Sequence, residues 1–264
     1  MLGYYSQMKL EVQNLSQNYK SALAKKAFGE HITNALVDVC FYLHTGDILS
    51  VLGPNGSGKS TLLKCIANIL PYSGSVKIDG VEVKSLKRKE IAKNIAILNQ
   101  SNSNFFNFTV YERVKMGAYS SNCSHEKIMN ILEQLNLEKY YKKPINNLSG
   151  GQYQRVLIAS ALIQESKIIM LDEPTNHLDI KYQLELIELL KSLTQNKGES
   201  EKIIISVMHD IDLAMNLTEK MLVLNGGKVS FFGSSKTMIE KDILNEVYGT
   251  NIRKLTLKNM ERWK

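Results

Sequence analysis

The segment Gly53-Pro-Asn-Gly-Ser-Gly-Lys-Ser60 constrains this chain more than any other. It fits the pattern GxxxxGK[ST]. Before it stands a compact apolar run, Asp47-Ile-Leu-Ser-Val-Leu52, and after it Leu62, Leu63, Ile66, Ile69 and Leu70 recur at helical spacing until Pro71 and Gly74. A strand that enters a glycine turn and leaves as a helix points successive backbone N–H groups and a positive helix end at one anion. Gly53, Asn55, Gly56, Ser57, Gly58 and Thr61 are thus expected around a phosphate chain. Lys59 is expected to reach the outer phosphates, and the Ser60 hydroxyl to ligate Mg²⁺. Chance produces such a pattern in roughly one chain in a hundred, before the strand and helix are demanded.

Beyond residue 46 strands and helices alternate. Lys167-Ile-Ile-Met-Leu-Asp172 and Lys202-Ile-Ile-Ile-Ser-Val207 read as buried strands, joined through a helix carrying Leu184, Ile187 and Leu190. Strand–helix–strand repetition predicts an α/β chain with a mainly parallel sheet. The stretch from about 101 to 165 carries few strand signals. Ile128, Ile131, Leu132 and Leu135 mark an amphipathic helix there, and a second helix begins at Ser149. A helical lobe inserted in one domain spanning 1–264 is expected. Ala35-Leu-Val-Asp-Val-Cys-Phe41 reads as a strand, and Ser75–Gly80 alternates like a half-exposed strand with a turn at Asp79-Gly80. Met221–Phe232 reads as a hairpin through Asn225-Gly226-Gly227, with a short terminal helix after it.

Several classes of protein are disfavoured. No apolar run approaches the roughly 18 residues a membrane span needs, and the opening MLGYYSQMKLEVQNL lacks a charged segment leading into an apolar one. Cys40, Cys65 and Cys123 are scattered and odd in number, which suits inert thiols rather than a disulfide framework or a zinc site. The 33 Lys plus Arg against 26 Asp plus Glu give +7. That charge suits an anionic ligand, nucleic acid or an acidic membrane surface, and equally a chain kept in solution by its charge.

Two further motifs carry chemistry. Ile168-Ile-Met-Leu-Asp-Glu173 puts acids at the carboxyl edge of a parallel sheet, where ligands bind. Asp172 would hold Mg²⁺, and Glu173 would direct or deprotonate an attacking water. Leu148-Ser-Gly-Gly-Gln152 fits a capping box, with Ser149 answered three residues later by Gln152. Two glycines, Gly150 and Gly151, cost such a helix about 1 kcal/mol each. They make sense where something approaches the backbone closely, and the bared helix start reads as a second anion site.

The phosphate loop, Gln100, Leu148–Gln152, the Asp172-Glu173 strand end and His209 stand in the order and spacing of ABC transporter ATP-binding subunits, which this chain resembles over nearly its whole length. The resemblance implies a P-loop NTPase core of the RecA-like type, an inserted α-helical subdomain and an antiparallel β subdomain. It implies ATP and Mg²⁺ as cofactors, with Gln100 beside Ser60 and Asp172 at the metal, and His209 at the γ-phosphate. Asp179, in Thr175-Asn-His-Leu-Asp179, matches the loop that links two sites across a dimer, and Tyr19 resembles the aromatic that stacks on adenine. Ser21–His31 look like an insertion after it, so that Tyr4 or Phe28 are alternatives for that stack.

The same resemblance implies a homodimer closing head to tail on ATP, with Ser149, Gly150, Gly151 and Gln152 facing the opposite phosphate loop. It further implies membrane permease subunits, indirectly a solute-binding protein, a peripheral place on the cytoplasmic face of the cell membrane, and no nucleic acid. Phe105, Phe106 and Phe108 are expected either to pack in the helical lobe or to line a groove for a permease helix. In a chain of 264 residues, the regulatory domain of maltose- or methionine-type subunits is not expected. Glu173–Glu185 and His209-Asp-Ile-Asp-Leu-Ala214 look most like iron-siderophore, haem and cobalamin importer subunits. Zinc or manganese importer subunits are close competitors, and a non-transport ABC ATPase acting on ribosomes or nucleic acid is the rival from another class.

Overall fold

In the computed structural model residues 9–20, 32–98, 107–118, 123–195 and 202–250 are described. The chain runs β1 (Lys9–Lys20), β2 (Ile32–His44), β3 (Ile48–Leu52), α1 (Lys59–Ile66), β4 (Ser73–Ile78), β5 (Val81–Glu82), α2 (Arg88–Asn94) and β6 (Ile95–Leu98). A helical stretch follows: α3 (Val110–Gly117), α4 (His125–Gln134) and α5 (Gly150–Leu162). Then come β7 (Ile168–Asp172), α6 (Ile180–Gln195), β8 (Ile203–Val207), α7 (Ile211–Leu217), β9 (Lys220–Asn225), β10 (Lys228–Ser234), α8 (Ser235–Glu240) and α9 (Ile243–Tyr248).

Every residue of β3, β7 and β8 is buried, as expected of parallel strands covered on both faces. They form the middle of a six-stranded sheet ordered β10-β9-β3-β8-β7-β6, parallel except for the β9–β10 pair at one edge. A second sheet, β2-β1-β4-β5, is antiparallel throughout. The predicted α/β class with a mainly parallel sheet and a separate antiparallel sheet is what the chain adopts.

The parallel sheet divides the apolar interior. Along β7, Ile168 and Met170 point into a core shared with α1 and the antiparallel sheet. Ile169 and Leu171 point the other way, into a core shared with α3, α4, α5 and α6. The period-two alternation of a strand makes this division unavoidable. In the second core α3 and α5 approach so closely that a Cβ on Gly117 would lie 2.0 Å from the Ser160 carbonyl oxygen. A third, smaller core gathers Leu52, Met208, Met221 and Val223 beneath α8 and α9.

Four readings of the sequence need correction. Helix α1 stops at Ile66, because Asn68 turns left-handed at φ +53° and the N–H groups of Ile69 and Leu70 both donate to the Lys64 carbonyl. Ile69 is consequently half exposed. Leu184 is also exposed and Leu186 takes the buried place in α6, since the stripe that faces the sheet runs through Leu186, Ile187 and Leu190. The strand read at Ala35–Phe41 extends to Ile32–His44. The chain beyond the hairpin holds two short helices, α8 and α9, broken at Asp242 with φ +52°. Gln100, Phe105, Phe106 and the Ser21–His31 insertion lie outside the described residues, as do Tyr4 and Phe28.

Candidate functional site

The register of three neighbouring strands assembles the site. Val207 of β8 pairs with Val51 of β3 on one side and with Asp172 of β7 on the other. The exits of these strands, Gly53, Met208-His209 and Glu173, therefore lie side by side at the carboxyl edge. Backbone bonds tie them together: Met208 N–H donates to the Val51 carbonyl at 3.1 Å, and Glu173 N–H to the Val207 carbonyl at 3.1 Å.

From β3 the chain enters the glycine turn. Gly53 adopts φ +146°, and a Cβ there would stand 2.1 Å from the Leu224 carbonyl oxygen, so only glycine fits. Asn55 and Gly56 are exposed at the tip, Ser57 is buried, and Gly58 precedes α1 in the left-handed conformation. Lys59, 6% exposed, folds back so that its Nζ donates to the carbonyls of Gly53 at 2.7 Å and Pro54 at 2.9 Å. Burial pulls the Lys59 ammonium below its ordinary range, while the charges of Glu173 and Asp172 oppose the shift.

Asp172 is 3% exposed, and among the described residues its Oδ1 has no partner. Burial pushes its carboxyl up. The hydroxyl of Ser60 donates towards it and opposes that rise, Glu173 adds to it, and Lys64 and Lys59 oppose it. A hydroxyl beside a buried carboxylate with a spare oxygen is a hard-oxygen donor set that fits Mg²⁺. Glu173 sits in the left-handed region at φ +53°. Its Oε1 bonds to His209 Nε2 and its Oε2 accepts from Asn176 Nδ2.

The Leu148–Gln152 motif is built as a capping box. Ser149 Oγ accepts from the Gln152 N–H at 3.2 Å, and Gln152 Oε1 accepts from the Ser149 N–H at 3.1 Å. That reciprocity leaves the Ser149 hydroxyl exposed with its own proton to give. The two glycines differ. A Cβ on Gly151 would meet the His177 carbonyl oxygen at 2.6 Å, whereas one on Gly150 would make only ordinary contact, 3.6 Å from His177 Cβ. The close approach expected from the sequence thus includes the chain's own Thr175–Asp179 turn. Ser149, Gly150, Gly151, Gln152, His177 and Asp179 share a cleft of about 810 Å³, and no phosphate-loop residue lines it.

Tyr19 pairs with Thr33 in the β1–β2 ladder, and its side chain lies outside the described part. Phe108 packs on the helical-lobe core. Three residues that the sequence did not single out touch the site. Gln154 Nε2 donates to the carbonyls of Glu173 at 3.3 Å and Pro174 at 3.4 Å. Asn176 holds Glu173, and Tyr248 OH accepts from the Gly53 N–H at 3.1 Å. Asn176 could have been found as a turn neighbour of Glu173. Tyr248 carries no local signal at all.

Residues 36–176 match the family model described as ABC transporter. The chain is 34% identical over 257 residues to the petrobactin import ATP-binding protein YclP of Bacillus subtilis, covering 95% of this chain and 96% of that one. It is 34% identical over 220 residues to the iron(3+)-hydroxamate import ATP-binding protein FhuC of the same organism, covering 80% and 81%. The dimeric post-hydrolysis structure of the ATP-binding cassette MJ0796, bound to ADP and Pi, superposes with a TM-score of 0.74 at 32% identity, covering 85% of this chain and 98% of that one. With the glycine turn, the acidic strand end and the capped glycine helix carried on this fold, the chain belongs to the ABC transporter ATP-binding proteins and is an ATPase.

Proposed function

We propose that this ATPase drives an importer for ferric siderophores, or for the related haem and cobalamin class of cargo, through separate membrane permease subunits. The chain acts as one ATP-binding unit over 1–264, with its helical lobe inserted at about 101–165. Its relatives named for petrobactin and iron(3+)-hydroxamate import support the cargo class. Among the described residues no helix is long and apolar enough to cross a membrane, which is consistent with a subunit bound to the cytoplasmic face of a permease. A solute-binding protein would deliver cargo from the other side.

The observation that carries the mechanism is the gathering of Lys59, Asp172, Glu173 and His209 at one sheet edge, while Ser149 opens on a different cleft. Two copies pairing head to tail would bring Ser149 and Gly151 of the partner subunit onto the phosphates held by the glycine turn. The backbone N–H groups of residues 56–61 bind the phosphate chain, and Lys59 leaves its two carbonyls for the outer phosphates. Ser60 and Asp172, with Gln100, would hold Mg²⁺, which neutralises charge on the β- and γ-phosphates when bound. Glu173, steadied by Asn176, directs water in line at the γ-phosphorus. The bond to the β-phosphate oxygen breaks, and the water proton passes to the Glu173 carboxylate beside His209.

The test is uptake. Cells lacking this chain should lose accumulation of radiolabelled ferric siderophore and regain it with the wild-type chain but not with Glu173→Gln. Unimpaired siderophore uptake with lost zinc or manganese uptake would reject the cargo class, and co-sedimentation with ribosomes would reject transport itself.

A further inference from the structure

We propose that Tyr248, at the end of α9, is a positioning residue for nucleotide binding: its hydroxyl holds the Gly53 N–H at the start of the phosphate loop, while Lys59 holds the Gly53 carbonyl. The proposal rests on the reading of Gly53–Ser60 as the phosphate loop.

The peptide units flanking Gly53 are gripped at both ends. The Gly53 carbonyl accepts from Lys59 Nζ at 2.7 Å, and the Gly53 N–H donates to Tyr248 OH at 3.1 Å, across 195 residues of sequence. Gly53 is also the hinge of the turn, since its φ of +146° belongs to a region that side-chain-bearing residues avoid. A buried peptide N–H at such a hinge needs a partner, and a phenol oxygen supplies it.

The two grips are not equivalent. Lys59 holds Gly53 and Pro54 with the ammonium that must reach the phosphates, so nucleotide binding takes that grip away. Tyr248 bonds the N–H and not the carbonyl, so it and Lys59 do not share an atom of Gly53. Once Lys59 has moved, the Tyr248 hydroxyl still holds Gly53 by its N–H.

Its anchorage is firm. Tyr248 packs on the third core, where Leu244 and Val247 of α9 meet Leu52, the residue before the loop, and Met208, the residue before His209. Burial pushes the phenol up, against a smaller opposing influence of the Gly53 bond. The ring therefore stays neutral across the physiological range with its oxygen able to accept. A helix near the end of the described chain thereby sets the height of the loop against the strand exit that carries His209.

Tyr248→Phe keeps the ring and removes only the oxygen. Loss of one hydrogen bond of ordinary strength corresponds to a roughly three- to tenfold change in an equilibrium constant. Titration calorimetry with Mg²⁺ and ADP, which is not turned over, should show Kd raised by about that factor. KM for ATP should rise in parallel, more than kcat falls, and the unfolding temperature should fall by a few degrees without nucleotide, where Lys59 still holds the Gly53 carbonyl, and by more with it. Tyr248→Leu, which also removes the ring packing, should lower that unfolding temperature further. Equal ADP affinity for wild type and Tyr248→Phe overturns the proposal. So does a Phe variant that loses stability without nucleotide but keeps its Kd, which would mark the contact as structural. Wild-type chain that fails to bind ADP would instead overturn the phosphate-loop reading, and this inference with it.

Discussion

Glu173 and His209, 36 residues apart, share a hydrogen bond across the exits of β7 and β8, through Oε1 and Nε2. The carboxylate is 13% exposed and the imidazole 40%, so the pair has an inner and an outer member. Glu173→Gln keeps the shape of that contact and removes the basic oxygen. It should retain ATP through gel filtration, favour a dimer, and lower phosphate release by roughly a hundredfold or more. Substantial hydrolysis by the variant would show that another group serves as base.

Asp172 gives a prediction with a pH sign. Burial, the largest influence, raises its folded-state carboxyl above the unfolded value of about 3.9. A group raised in this way contributes stability that is present below the unfolded value and lost as pH rises through the folded one. Once pH has risen past the folded-state value, the chain carries a buried carboxylate at a cost. Asp172→Asn should melt higher than wild type at pH 7 without nucleotide, and the gap should close towards pH 4. The same variant should lose the extra stabilisation that Mg²⁺ adds to ATP. A lower melting temperature at pH 7 would contradict this account of the carboxyl.

Gly150 and Gly151 should separate by thermal unfolding. Gly151→Ala drives a Cβ to 2.6 Å from the His177 carbonyl oxygen and should cost about 1–3 kcal/mol as the backbone shifts. Gly150→Ala meets only a 3.6 Å contact and gains helix propensity, so its unfolding temperature should hold or rise. ATP-dependent pairing should nonetheless weaken in Gly150→Ala, because that position is exposed beside Ser149. Equal destabilisation by both would remove the distinction.

Gln154 ties α5 to the backbone of Glu173 and Pro174. Gln154→Ala should lower kcat about three- to tenfold, on the order of one hydrogen bond, with KM for ATP changing less than twofold. Gln154→Glu turns a carboxylate towards two carbonyl oxygens and should lower kcat further. Steady-state ATPase assays decide this; a change confined to KM would place Gln154 in binding instead.

Thiol labelling should separate the buried cysteine of α1 from the exposed one of β2. Burial pushes the Cys65 thiol up to about 12, whereas Cys40 is exposed. At pH 8 Cys40 should react promptly with a thiol reagent and Cys65 only after unfolding. Rapid modification of Cys65 in the folded chain would mean that the core around α1 opens readily.

Features written over short distances were legible in the sequence. The Ser149–Gln152 cap needs only residues three apart, and the strand–turn–helix around Gly53 is contiguous. The central strands were visible because parallel strands covered on both faces must be apolar throughout. Ile69 and Leu184 were misread because helical spacing marks a stripe without marking where the helix ends or which edge of the stripe meets the core. The Gly53–Tyr248 and Gln154–Glu173 contacts depend on which elements pack together, and no local pattern encodes that. Gly151 was half legible: its sequence announced a close approach but not that the visitor would be the carbonyl of His177.

The alternation along β7 makes the parallel sheet a bulkhead. Ile168 and Met170 shore up the compartment that floors Lys59, while Ile169 and Leu171 shore up the one that carries Ser149. A cavity at Ile169 is expected to loosen the core beneath α3, α4, α5 and α6, and one at Ile168, its immediate neighbour, the core beneath α1. The glycine turn and the capped helix start at Ser149 therefore rest on separate apolar compartments, one on each face of the same sheet.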